Sequence, residues 1–305
     1  MSSSPIQSNF AQFLVATYSP VKQQHPTEGR RRLALRVADQ FWSLSPENRA
    51  LLPTGPSSID VFALDSDPFD DISSPEVAAP GIIVRTDYTN EEAWRTFYAT
   101  LIEAEKDFTE SDDANVEPTP DTSAQAGPST SAPTHEDAEM ADANAEAEEE
   151  EEDDEEEPLV FFSVLNPEDP AKRQRITGIS NLTALRLLSD VSIRSAPPVP
   201  QGEKRIKPGN RLVDLDGLQE VYEGKTLWIY DAKSNSDQSV RLVNQKGDTY
   251  GTASGDSWRA RGSHITELQV NLASGAMKID FGGLDRWDYP ERKRNLEEAA
   301  QPTLL

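Results

Sequence analysis

The chain has 305 residues, 36% hydrophobic and 7% aromatic, with 29 basic against 54 acidic side chains and a net charge of −25; that is enough to bury the core of one large domain or two ordinary ones. It contains no cysteine, which excludes disulfides, cysteine zinc sites, iron–sulfur clusters and thiol nucleophiles. Its three histidines, His25, His135 and His264, are too scattered to suggest a metal centre built on imidazole, and no metal or cofactor is expected.

The opening "MSSSPIQSNFAQFLVATYSP" has neither a basic n-region nor a long apolar run, which argues against a secretory signal or transit peptide. Ile6, Phe10, Phe13 and Leu14 fall at helical spacing, and Ala34, Val37, Ala38 and Phe41 repeat the pattern. Ser45, Pro46 and Glu47 predict the cap and first turn of a short third helix. Residues 1–55 thus read as a helical region. Residues 56–80, dense in Pro, Ser and Asp, read as a linker with one short strand at Ile59–Ala63.

"GIIVRTD" from Gly81 predicts a buried strand, and Thr89 to Glu92 has capping-box spacing for the helix that follows. Trp94, Phe97, Leu101, Ala104 and Phe108 then form one apolar stripe along that helix. Residues 109–157 change character, with 20 acidic side chains, no Lys or Arg and no aromatic. Without this segment, acidic and basic residues nearly balance. With so little to bury it is expected to be a disordered acidic insert, because nothing offsets the entropy of ordering it.

"PLVFFSVL" predicts a second strand, too short for the roughly 20 apolar residues of a membrane helix. "SNLTALRLLSD" predicts a helix capped by Ser180 or Asn181, and "VSIRSAP" a third strand. The strand–helix alternation favours a parallel sheet with right-handed crossovers. "LQEVYEG" reads as a short helix, and "TLWIYD" and "SVRLV" as strands. In "HITELQVNLASGAMKIDFGG", Leu268, Val270 and Leu272 alternate with polar residues, as do Met277, Ile279 and Phe281. Folding back through Ala273–Ala276 pairs them one to one, which predicts a C-terminal antiparallel hairpin. "YPERKRNLEEAA" predicts a closing helix. The expected fold is therefore α/β: a mixed sheet with helices over residues 80–108 and 158–298, the C-terminal hairpin, the N-terminal helical region and the acidic insert.

Chemistry concentrates in the glycine-rich stretch 247–264, where Asp256, Ser257, Arg259, Arg261 and His264 lie close together. They could form a nucleophile with its base, or an arginine pair for an anion; equally, the arginines could pair with acidic residues of the core. Asp87 follows the first strand, where parallel sheets place ligands. It could bind Mg or act as a base there, or simply cap the helix. No phosphate-cradling glycine motif and no nucleophile elbow is present. The basic clusters "KRQR" at Lys172 and "ERKRN" around Arg292 read as nuclear-entry signals, phosphate contacts or solvated faces. With the C-terminal half near neutral, nucleic acid is not an expected partner.

"GIIVRTDYTNEEAW", "LWIYDAKSNSDQSVRLV" and "SWRARGSH…LASGAMKIDFGGLDRWDY" resemble an uncharacterised family of fungal proteins. The first stretch is also similar to the start of a small α/β domain of unknown function found in bacteria. The resemblance spans roughly residues 80–108 and 158–295 and implies those domain limits; it carries over no catalytic residue. The expected function is that of a non-enzymatic intracellular interaction or scaffold protein, cytoplasmic or nuclear, engaging basic proteins through the acidic insert. The alternative is an enzyme of small molecules or anions, such as a hydrolase, using loop 247–264.

Overall fold

A computed structural model describes residues 5–53, 65–113, 160–198, 209–243, 258–279 and 288–303. Helices α1 (Pro5–Gln24), α2 (Arg30–Ser43) and α3 (Pro46–Ala50) come first. Ser45 caps α3, its hydroxyl accepting from Asn48 N at 3.3 Å. The predicted linker is partly ordered by charge. Asp67 accepts from both the backbone N and the guanidinium of Arg31, Asp65 accepts from Tyr18 Oη at 2.8 Å, and α4 (Asp70–Ser73) follows. The strand expected at 59–63 lies outside the described residues.

Strand β1 (Gly81–Arg85) is buried along its whole length, as a parallel strand covered on both faces should be. Gly81 admits no side chain, since a Cβ there would lie 2.8 Å from both the Phe162 ring and Gln269 Oε1. Helix α5 (Glu91–Asp113) is capped one residue later than the capping-box spacing suggested: Asn90 Oδ1 accepts from Ala93 N at 3.0 Å. Trp94, Phe97 and Leu101 are buried as their stripe required. The helix continues to Asp113, so the first five residues assigned to the insert are helical; 114–157 lie outside the described residues.

Strand β2 (Phe162–Leu165), helix α6 (Pro170–Ile176) and helix α7 (Asn181–Leu188) follow. The Ser180 hydroxyl caps α7, accepting from Thr183 N at 2.9 Å. Strand β3 (Asp190–Ser195) does not join the main sheet; it pairs antiparallel with β4 (Leu218–Glu223), so the segment read as a short helix, "LQEVYEG", is a strand. Then come β5 (Thr226–Tyr230), α8 (Ser234–Asp237), β6 (Ser239–Val243) and β7 (Trp258–Arg261). The main sheet has the order β2-β1-β5-β6-β7. Its first three strands are parallel, β6 is antiparallel to β5, and β7 is antiparallel to β6. The α/β class with a mixed sheet is as expected.

The C-terminal hairpin is not formed. Gly262–His264 make a 3-10 turn that runs into α9 (Ile265–Ala273), and the supposed hairpin loop is the end of that helix, with Gly275 at φ 76. Ile265, Leu268 and Leu272 share one helical face. Gln269, read as solvent-facing, is buried, and its Oε1 accepts from Trp228 Nε1 at 2.8 Å. A tertiary hydrogen bond thus overrode an alternation compatible with both periods. Met277 and Ile279 are in irregular structure, while Asp280 and Phe281 lie outside the described residues.

The apolar residues form two clusters, one on each face of the sheet. On the first face Ile82, Val84, Leu227 and Ile229 join Phe10, Leu14, Val37 and Phe41 of α1 and α2 and Leu182 and Leu185 of α7. On the second, Ile83, Trp228 and Tyr230 meet Trp94, Phe97 and Leu101 of α5 and Ile265 of α9. Helix α10 (Tyr289–Ala299) closes the first face from the end of α7. Glu291 Oε1 accepts from Asn181 N at 2.6 Å and Asn295 Oδ1 from Leu182 N at 3.0 Å, satisfying donors that a helix start leaves open. Gln301 O accepts from Arg211, and Thr303 N donates to Asp39 Oδ2 at 2.7 Å.

Candidate functional site

The chain leaves β1 for β2 on one side and leaves β5 for β6 on the other, so the carboxyl ends of β1 and β5 flank a topological switch point, the usual ligand position in parallel sheets. Here that position is bridged by the chain itself. Thr86 N and Oγ1 both donate to Tyr230 O, and Thr86 O accepts from Gly178 N at 2.8 Å.

Asp87 is held by its own turn and by α8. Its Oδ1 accepts from Thr89 N at 3.0 Å, Thr89 Oγ1 at 2.6 Å and Asn235 Nδ2 at 2.7 Å. Burial works to raise its pKa, but these hydrogen bonds and the Arg85 charge outweigh burial and hold the carboxyl below its ordinary value. Arg85, only 1% exposed, donates to Asp87 O and to Glu91 Oε2. Its guanidinium lies 4.7 Å from the Tyr88 ring centroid and 4.8 Å from that of Trp94, contacts that strengthen as water is removed.

Asp231 stands one residue past β5 as Asp87 stands two past β1. Its Oδ1 accepts from the backbone N of Lys233 and Ser234, and its Oδ2 pairs with Arg259 and lies 3.6 Å from Arg241. Burial pushes this carboxyl up as well, yet the Arg259 hydrogen bond and the two guanidinium charges bring it below the usual range. Arg241 also reaches Asp288 at 3.2 Å and Glu291 at 3.9 Å. The register of β6 with β7 sets Arg241 opposite Arg259, so two cations on one face share the acids around them.

The expected site residues are therefore only partly brought together. Arg259 is engaged by Asp231 and also donates to Ser239. Arg261 is exposed at the end of β7, and His264 is exposed where the 3-10 turn meets α9. Among the described residues no hydrogen bond or ion pair joins His264 to Asp87 or to Arg259. Asp256 and Ser257 lie outside the described residues, as does the rest of 247–257. Asp231, Asn235, Arg85 and Arg241 were not singled out in the sequence; the signal available was the repeated pattern of an apolar strand with Asp one or two residues past its end, in "GIIVRTD" and "TLWIYD". Among the described residues no group of three or more His, Asp or Glu side chains is arranged to hold a metal ion, and no helix is long and apolar enough to cross a membrane.

What the arrangement does chemically is neutralise itself: each carboxylate at the rim meets a cation or a set of N–H and O–H donors, and Arg85, Arg241 and Arg259 each meet a carboxylate. No protein-family model matches the chain, and no match was found among the curated proteins or the solved structures.

Proposed function

We propose that this is a non-enzymatic interaction protein of the cytoplasm or nucleus, whose α/β body presents an acidic segment to basic partners. The observation that carries the reading is the contrast in how acidic and basic residues are distributed along the chain. At the rim of the sheet Asp87, Asp231, Asp288 and Glu291 are answered locally by Arg85, Arg241, Arg259 and polar donors, whereas residues 109–157 hold 20 acidic side chains with no Lys or Arg among them. That segment joins α5 to β2, so both of its ends are tied to the folded body. Charge so concentrated in sequence attracts Lys- and Arg-rich chains, with an attraction screened beyond roughly 8–10 Å at physiological salt. The alternative, an enzyme of small molecules or anions working through Arg259, Arg261 and His264, has less to draw on, because Arg259 is already committed to Asp231.

The test is a titration of the full chain with a fluorescent oligolysine at rising salt, beside a full-length variant in which the acids of 146–157 are replaced by Gln and Asn. Binding should weaken steeply with salt and fall by roughly tenfold or more in the variant, each tenfold being about 1.4 kcal/mol. Equal binding by the two chains would overturn the proposal.

A further inference from the structure

We propose that the outer row of helix α5, formed by Tyr98, Ile102 and Glu105, docks a partner helix that lays apolar side chains on Tyr98 and Ile102 and sets one Lys or Arg against the Glu105 carboxylate. The surface belongs to the folded body, so the inference goes beyond the reading of the acidic segment and does not rest on it.

A helix that covers one face of a sheet needs a single apolar stripe. On α5 that stripe is Trp94, Phe97, Leu101, Ala104 and Phe108, and at its end the Phe108 ring meets Phe161 at 5.5 Å. Tyr98, Ile102 and Glu105 each follow a member of the stripe by one residue, and so stand about 100° further round the helix. There the apolar surface continues into solvent. Tyr98 is 40% and Ile102 46% exposed, and of the large apolar side chains exposed among the described residues they are the pair that shares one element. The Tyr98 ring is already positioned, stacked on Trp94 with centroids 5.8 Å apart and planes 14° apart, so a partner meets a preset face.

Glu105 is the charged member of the row and has no counter-ion. It is half-buried, and the positions three and four residues away on either side, Leu101, Ile102, Phe108 and Thr109, carry no cation. The two cations of α5 are turned to other acids: Arg95 lies 3.8 Å from Glu91, and Lys106 lies 3.5 Å from Glu110. Among the described residues no ion pair reaches Glu105, and desolvation with nothing to offset it pushes the carboxyl up to about 7. An arriving cation is favoured at such a group, because much of its desolvation has already occurred in the free protein.

Backbone and charge select the occupant. The backbone of α5 is bonded within the helix, so an extended segment finds no main-chain partners there, whereas a helix needs none. Tyr98, Ile102 and Glu105 fall at steps of four and three and span roughly 10 Å over two turns, the spacing of the anchors on a docked helix. Glu92, Glu103 and Asp107 of the same helix are exposed and form no ion pair among the described residues, which adds to the attraction of a basic chain. A second copy of α5 would bury two Glu105 carboxylates while its own cations stay engaged with Glu91 and Glu110, and an anionic lipid surface would be repelled.

The experiment titrates the full chain at pH 8, where Glu105 is mostly ionised, with dye-labelled alanine-based helical peptides. Each bears Lys, Leu and Leu at spacings of three and four, in either chain order, and each has a counterpart with norleucine in place of Lys. The tighter-binding Lys peptide should bind wild type roughly tenfold or more better than its norleucine counterpart, and Glu105→Gln should erase that difference. Ile102→Ser, at an exposed position, should weaken the Lys peptide as well. Absence of binding in both chain orders, or a lysine preference that Glu105→Gln leaves intact, would overturn the proposal; Glu105→Gln removes an unpaired charge and leaves the core packing in place. The full-length variant with the acids of 146–157 replaced separates the two readings. A lysine preference retained there supports the α5 surface whatever oligolysine does, whereas a preference lost there assigns the peptide to the acidic segment and overturns the α5 surface. A dimer in sedimentation that Ile102→Ser dissociates, with no lysine preference, makes a second copy the occupant and overturns the assignment.

Discussion

The two faces of the main sheet are stabilised by unlike means. The second face, under α5 and α9, is largely aromatic: Trp94 and Phe97 pack on Tyr230 with ring centroids 4.9 and 5.1 Å away, Phe162 packs on Trp228, and the buried cation Arg85 sits against rings. The first face, under α1, α2, α7 and α10, buries charge as well as apolar surface. Glu220 of β4 is 1% exposed and lies between Arg186 at 3.6 Å and Arg211 at 3.5 Å, with Trp42 Nε1 and Tyr222 Oη donating to it. Arg211 passes the network on to Asp39 at 2.6 Å. Burial and the Glu220 charge push the Tyr222 hydroxyl well above its ordinary pKa, so it remains a donor. An aromatic face tolerates the loss of one contact by degrees, whereas a buried ionic network fails when one member leaves its partners without compensation.

The sharpest way to break this comparison is Glu220→Ala. Leaving Arg186 buried without its carboxylate, and Arg211 with Asp39 alone, should cost about 3–5 kcal/mol in urea unfolding; a loss under about 1 kcal/mol would mean that the first face behaves like the second. A smaller effect is expected from Asp231→Asn, about 1–3 kcal/mol at neutral pH, because the charge-assisted bond to Arg259 weakens. The pH dependence has a fixed sign. The folded carboxyl titrates below its ordinary value of 3.8, so its stabilisation is present above that value and is lost as pH falls through the lower folded one. The gap between wild type and Asp231→Asn should therefore close in acid; a gap unchanged between pH 7 and pH 2 would remove Asp231 from the account.

The smallest effect belongs to the aromatic side and runs the other way. Glu105 of α5 is half-buried, and desolvation pushes its pKa from 4.5 to about 7. Its protonated form is favoured in the folded chain, so stability is full below 4.5 and declines as pH rises toward 7. Glu105→Gln should raise Tm at pH 8 and leave it unchanged at pH 4. An equal shift at both values would point to a cause other than ionisation.

Elements whose information is local were legible in the sequence. "GIIV" with its flanking polar residues, the Trp94–Phe97–Leu101 stripe and the Ser45 and Ser180 caps need only neighbours to be read. Strand β4 was missed because Gln219 and Glu220 look solvent-facing; their burial depends on partners such as Trp42, 178 positions from Glu220. Helix α9 was misread as one arm of a hairpin for the same kind of reason, as Gln269 is buried by Trp228, 41 positions away. Of the candidate site, Asp87 and Arg259 were legible as charged residues among turn signals. Asp231, which binds Arg259 across 28 positions, was not, because ion-pair geometry leaves no local trace.

The capping of α7 by α10 bears on the order in which the protein can be made. Asn181 and Leu182 await acceptors that lie 110 and 113 residues further along, and Asp39 awaits Thr303, 264 residues on. At synthesis rates of roughly 5–20 residues per second, α7 emerges roughly 5–20 s before Glu291 and Asn295 exist. During that interval the first face lacks one wall and its charge network lacks the Asp39–Thr303 tie. Completion of the fold is thereby postponed until the last described residues have been translated, and a nascent chain truncated before α10 would present an open, partly charged core to the cell's quality control.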